Sequence, residues 1–194
     1  MPTITRDSLM TLEAYAKARP GVRAQAIAHK KLRKVALGEH LTVLFEDEKT
    51  VRYQVQEMLR IERIFEEEGI EHELQTYNPL IPDGRNLKAT MMIEYGDPDE
   101  RRRELARLIG VEDKVWVQVQ GMPKVYAIAD EDLERETEEK TSAVHFLRFE
   151  LGEPMAAALK GGAALGVGVD HPNYRFSVPS LPQATRDALV ADLR

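Results

Sequence analysis

The stretch Val51–Gln75, VRYQVQEMLRIERIFEEEGIEHELQ, is the longest periodic segment in the chain and decides what the other segments can pack against. At about 100° per residue, Val51, Val55, Met58, Leu59 and Phe65 form one apolar stripe, with Arg52, Gln56, Arg60, Arg63 and Glu67 opposite. The spacing predicts a helix that breaks near Gly69, with Ile70–Tyr77 either its continuation or a second, shorter helix. Two carboxylates disobey the pattern. Glu62 falls between Met58 and Phe65 within the stripe, and Glu66 follows one turn later beside Leu59. If that face is buried, both carboxyl groups need a compensating arginine, hydrogen-bond donor, water or metal ion.

The other elements follow from local signals. Asp7–Arg19 reads as a short helix capped by Asp7 and ended by Pro20-Gly21. Val22–Lys34 reads as a second helix carrying the basic run His29-Lys30-Lys31-Leu32-Arg33-Lys34, expected to face solvent. Lys34–Asp47 alternates about Gly38 as a strand or hairpin, and Leu87–Tyr95 alternates as a strand after the proline-containing loop Tyr77–Asn86. Asp97-Pro98-Asp99-Glu100 caps a helix running through Arg101–Ile109 to Gly110. Strands are expected at Lys114–Gln120, Lys124–Ala129 and Ser142–Leu151, with an acidic helical turn over Asp130–Lys140. A short helix at Met155–Lys160, a strand at Ala163–Val169 ended by Asp170–Tyr174, and a terminal helix at Gln183–Leu193 complete the chain. The expected fold is α+β: a mainly antiparallel sheet of about five or six strands covered by the long helix and several shorter ones. Residues 1–194 form a single domain, with 1–36 as a helical N-terminal appendage.

Composition narrows the chemistry. With 43% hydrophobic and 31% charged residues and a formal net charge of −6, the chain has the balance of a soluble globular protein and is not suited to nucleic acid. It has no cysteine, so any metal site must use oxygen or imidazole ligands. The start MPTITRDSLM has neither a basic n-region nor an apolar h-region, and no apolar run reaches membrane-spanning length; a cytoplasmic location, away from any membrane, is expected. Gly162, Gly166 and Gly168 do not have dinucleotide or P-loop spacing, no serine lies in G-x-S-x-G, and the acidic run lacks calcium-loop spacing.

The segments YQVQEMLRIERI (Tyr53–Ile64), YNPLIPDGRNLKATMMIE (Tyr77–Glu94), KTSAVHFLRF (Lys140–Phe149) and DHPNY (Asp170–Tyr174) together resemble a bacterial family known as domain-of-unknown-function family 3501. That family brings no agreed activity. The resemblance implies a setting beside rubrerythrin-like di-iron proteins and cysteine-rich iron–sulfur oxidoreductases, and hence peroxide or iron-linked redox physiology.

Two kinds of site are compatible with these residues. Glu62, Glu66, Glu94, His145 and His171 are the candidate ligands for iron or manganese, although the repeated Glu-x-x-His of a bundle di-iron site is absent. His171 sits in Asp170-His171-Pro172, a pattern compatible with a carboxylate that orients the imidazole and with a capped turn. Alternatively Tyr53, Gln54, Gln56, Glu57, Arg60 and Arg63 form a hydrogen-bond-rich helix face for docking a partner such as a di-iron or iron–sulfur redox protein. The first reading of function is a non-catalytic accessory or interaction protein of an iron-linked or peroxide redox pathway. The alternative is a metal-dependent enzyme.

Overall fold

The computed structural model describes residues 3–129 and 140–194. The acidic turn expected over Asp130–Lys140 therefore lies outside the described residues except for Lys140. A 3-10 turn at Arg6–Ser8 precedes helix α1 (Leu12–Lys31), whose N-terminus is capped by Thr11; its hydroxyl accepts from the Ala14 N–H at 3.2 Å. The two expected N-terminal helices are thus one. Pro20 removes a single intrahelical bond, and both Pro20 and Ala16, whose carbonyl is left without it, lie on the exposed side, open to solvent. Contacts with the next helix on both sides of Pro20 hold α1 continuous.

Strands β1 (Lys34–Leu37) and β2 (Leu41–Phe45) form the hairpin expected about Gly38, which has φ of 81°. Helix α2 (Glu48–Glu62) is capped by Asp47, and α3 (Glu67–Tyr77) follows after a sharp corner. The long helix breaks at Arg63, not near Gly69. Arg63 adopts the left-handed conformation at φ 56°, and the Ile64 N–H bonds to the Leu59 carbonyl at 2.9 Å, closing the helix as a Schellman turn. Gly69 instead lets α3 approach that corner, since a Cβ there would lie 2.7 Å from Ile64 Cγ2.

The remaining elements are β3 (Asn86–Ile93), α4 (Pro98–Arg107), β4 (Val115–Val119), β5 (Lys124–Tyr126), β6 (Ile128–Ala129), β7 (Val144–Glu150), α5 (Glu153–Lys160), β8 (Leu165–His171), β9 (Tyr174–Val178) and α6 (Gln183–Val190). The α+β class is as expected, and every strand pair is antiparallel, but the strands divide between two sheets. One has the order β1-β2-β3-β7-β6 and the other β5-β4-β8-β9. The segment read as one strand over Lys124–Ala129 changes sheet at Ala127: its N–H bonds to the Val115 carbonyl, while Ile128 and Ala129 pair with Arg148 and Leu147. β9 is a strand that the sequence reading did not anticipate.

The inner faces of the two sheets share a core in which Val43, Phe45, Met91 and Phe149 meet Val115, Val117, Val167 and Val169. A second apolar cluster gathers Val51, Val55 and Leu59 of α2 with Ile4, Leu74 and Ile81. The apolar side of α2 therefore packs on α3 and the N-terminal segment. The proline loop supports this arrangement through Asn78, whose side-chain amide both accepts from the Ile4 N–H (2.9 Å) and donates to its carbonyl (3.0 Å).

Candidate functional site

The carboxylates singled out in the long helix are not buried. Glu62 lies at the exposed end of α2 and Glu66 at the N-cap of α3, and Phe65, expected on the apolar stripe, is 70% exposed. The 100° projection fails because the helix ends between them. Glu62 instead faces Glu73 across the corner: burial, and then the Glu62 charge, raise the Glu73 carboxyl above the ordinary carboxylate range.

The other candidate ligands are engaged locally. Glu94 is exposed, and its backbone pairs with His40, which stacks on Tyr95 at 4.0 Å. His145 is fully buried on β7, its Nε2 lying 2.8 Å from Thr141 Oγ1 and 3.0 Å from the Ser142 carbonyl, beside the buried Glu112. His171, at the end of β8, uses both ring nitrogens. Nε2 donates to the Ile109 carbonyl (3.1 Å) and Nδ1 accepts from the Asn173 N–H (3.2 Å), while Asn173 donates to the Arg107 carbonyl. The DHPNY segment thus caps the C-terminal end of α4. Asp170 does not orient this imidazole; it accepts from Lys124 (2.7 Å) and Tyr126 (2.8 Å), and the Lys124 hydrogen bond holds its carboxyl below the ordinary range. Among the described residues, no three acidic or imidazole side chains converge as a metal ion would require.

The hydrogen-bond-rich face of α2 is occupied by the chain itself. Gln56, buried, accepts from the Met10 N–H at 2.7 Å and donates to its carbonyl. Glu57 accepts from Arg19 Nε (2.8 Å), Arg19 Nη2 (2.9 Å) and the Tyr15 hydroxyl (2.7 Å), with Arg60 at 3.5 Å. Arg19, first, and then Tyr15 and Arg60, hold the Glu57 carboxyl down to about 2 against the opposing effect of burial. Tyr53 lies under the Lys30 ammonium at 5.1 Å, Gln54 bonds Tyr77, and of these six residues Arg63 alone is exposed. The face expected to dock a partner carries α1.

Between α1 and α2 is a cleft of about 650 Å³, walled by Val22, Ala26, Tyr15 and Tyr53 and edged by His29 and Lys49. Below it lies a charge cluster concealed in the basic run of the sequence. Arg33 is only 2% exposed; it donates to the Phe45, Glu46 and Ala188 carbonyls and pairs with Asp192 and Asp47. His29 Nε2 lies 2.6 Å from Asp47. Burial alone would raise the Asp47 carboxyl, but the Arg33 charge, the Thr50 N–H and His29 outweigh it and hold it low. At Asp192 burial prevails over Arg33 and pushes the carboxyl up. A cation at one end of a basic run gives no sequence signal of burial, so Arg33 was not distinguishable from its solvated neighbours.

The α2–α3 corner is where large apolar side chains meet solvent. Ile61 is 60% and Phe65 70% exposed, and a groove of about 340 Å³ lies between Phe65 and the N-terminal segment, lined by Leu9, Leu12, Leu59, Ile64 and Ile70 with Arg6 and Asp7. Glu62, Glu66, Glu67 and Glu68, all exposed, flank the corner. Among the described residues no helix is long and apolar enough to cross a membrane.

Comparison with known proteins agrees with the fold and leaves the activity open. The family described as "Protein of unknown function (DUF3501)" matches residues 3–193. A solved structure from Burkholderia pseudomallei K96243, described as a novel protein of unknown function, is 58% identical, covers 100% of both chains and has a TM-score of 0.95. No curated protein matches. With a match along nearly the whole chain and a relative of that identity and coverage, the chain belongs to the DUF3501 family.

Proposed function

We propose that this chain is a non-catalytic interaction protein that presents its α2–α3 corner to a partner protein. The observation that carries the reading is the exposure of Phe65 (70%) on a largely apolar groove, with Ile61 (60% exposed) on the last turn of α2 at the same corner. Burying a side chain of this kind is worth about 1.5–3 kcal/mol, so an exposed pair beside a groove favours a second surface that covers it. The glutamates around the corner define the partner's complement: an apolar anchor with lysine or arginine at its rim. They also repel a second copy of a chain whose net charge is −6. An iron-linked or peroxide redox pathway, with a di-iron or iron–sulfur protein as that partner, belongs to the reading through the family resemblance alone.

A photo-crosslinking amino acid placed at Phe65 in the producing cell, followed by reconstitution of the captured protein with purified chain, tests it. The expected result is one heterologous adduct whose affinity falls at least about tenfold in Ile61→Ala/Phe65→Ala and weakens with added salt. No adduct, an adduct with a second copy, or equal affinity for the variant would overturn it.

A further inference from the structure

A smaller pocket, of about 240 Å³, lies on the other side of α2, between that helix and the outer face of the five-stranded sheet. Its walls are Leu44, Met92, Val144 and Phe146 from the sheet and Val51 and Leu80 from the helical layer. Glu46, only 8% exposed, lines it at the end of β2. One carboxylate oxygen of Glu46 accepts from the Thr90 hydroxyl at 2.7 Å and the other from the Thr50 hydroxyl. No lysine, arginine or histidine among the described residues comes within ion-pair distance of it. A carboxylate offers about four lone-pair sites, so two neutral hydroxyls leave it with acceptor capacity at the pocket wall. The same pocket is lined by Lys30, whose ammonium sits 5.1 Å above the Tyr53 ring and has no carboxylate partner among the described residues.

The pocket is therefore lined by one acidic and one basic residue, not paired with each other, among apolar walls that also carry Thr50, Gln54, Thr90 and Tyr77. From this juxtaposition we infer a binding site for a small zwitterion with an apolar tail, of the class of aliphatic or thioether α-amino acids. The ligand ammonium, with three donors, sits on Glu46 and can also donate to the Thr50 and Thr90 oxygens. Its carboxylate turns to Lys30, and its side chain lies against Leu44, Met92 and Phe146. The volume is below the range of about 300–1,000 Å³ that drug-sized ligands occupy, which excludes nucleotides and larger cofactors. The site shares no residue with the corner assigned to the partner protein, so the two assignments stand or fall separately.

Titration of the isotopically labelled full chain by NMR with L-methionine, n-pentylamine and hexanoate tests the assignment. L-methionine, up to about 10 mM, is expected to shift the amides of Thr50, Thr90 and Phe146, with n-pentylamine weaker and hexanoate inert. Glu46→Gln is expected to bind L-methionine at least about tenfold more weakly. Val144→Trp, which fills the rim without touching Glu46, is expected to abolish binding in a folded protein, and Lys30→Ala to make L-methionine no better than n-pentylamine. Absence of shifts in the wild type, or unchanged L-methionine binding in Val144→Trp, would overturn the site. Equal binding of n-pentylamine and L-methionine by the wild type would overturn the zwitterion.

Discussion

Replacing Glu57 by glutamine tests the attachment of α1 to α2 at its strongest point. The carboxylate receives both nitrogens of the Arg19 fork at 2.8 and 2.9 Å and the Tyr15 hydroxyl at 2.7 Å, so glutamine keeps the shape and removes the charge. Lowering this carboxyl from its ordinary 4.5 to about 2 corresponds to about 3 kcal/mol at full weight. The Glu57 side chain is 12% exposed but Arg19 is 32% exposed, and solvent screening reduces the figure to about 1.5 kcal/mol. Because the folded value lies below the unfolded one, this stabilisation is present above about pH 4.5 and is lost as pH falls towards 2. Glutamine does not titrate. Urea unfolding of wild type and Glu57→Gln should therefore differ by about 1.5 kcal/mol at pH 7, with more than half of the gap gone by about pH 3. A gap that stays constant with pH, or a variant as stable as wild type at pH 7, would refute the reasoning.

Other perturbations probe the parts of the fold that depend on single residues. Arg33→Met leaves the partly buried Asp192 and Asp47 without the buried cation they share and should cost about 3–5 kcal/mol in thermal unfolding; a loss below about 1 kcal/mol would contradict its role. Gly168→Ala places a Cβ 2.3 Å from the Trp116 ring and 2.9 Å from the Phe176 carbonyl, so it should cost about 1–3 kcal/mol and red-shift the emission of the single tryptophan. Pro20→Ala restores an intrahelical bond in α1 and should raise the urea midpoint by the equivalent of about 1–3 kcal/mol, whereas a fall would show that the ring makes contacts the helix needs.

The elements legible in the sequence are those that local chemistry dictates. Asp97 and Pro98 start α4 because the aspartate accepts from the Asp99 and Glu100 N–H groups and the proline needs no donor there. The alternation of Leu87, Ala89, Met91 and Ile93 marks the buried face of β3 for the same kind of reason. The break between α2 and α3 was not legible, since Arg63 takes the left-handed conformation without a glycine to announce it and is held there by packing of Ile64 on Gly69. Pro20-Gly21 misleads in the opposite direction: a strong local stop is overridden by contacts with α2 on either side. At the candidate site the limitation is one of degeneracy. A run of Tyr53, Gln54, Gln56, Glu57 and Arg60 shows that one helix face is polar, but solvent, a partner and another helix of the same chain would all select such residues. His171 illustrates the same point, because a histidine that caps a helix end is indistinguishable in sequence from a ligand.

The polarity of the α1–α2 contact has a consequence for how the fold comes apart. Val51, Val55 and Leu59 are largely consumed by α3, Ile4 and Ile81, with Leu12 of α1 at the edge of that cluster, so the rest of α1 attaches to α2 through the buried Tyr15 and through hydrogen bonds and ions. Those fall at the two ends of the helix, at Glu57 with Tyr15 and Arg19 and at Asp47 with His29, with the cleft of about 650 Å³ between them. Both carboxylates are held below their ordinary range, so the contribution of Glu57 begins to be lost as the pH falls below about 4.5 and that of Asp47 as it falls below its ordinary 3.8. The core between the two sheets is aliphatic and aromatic, so its cohesion does not run through these two carboxylates. Mild acid should therefore release α1 while the sheets persist, detectable as faster hydrogen exchange in Leu12–Lys31 at a pH where the amides of β3 and β8 remain protected. Simultaneous loss of protection in all three would show instead that α1 is an integral part of the cooperative core.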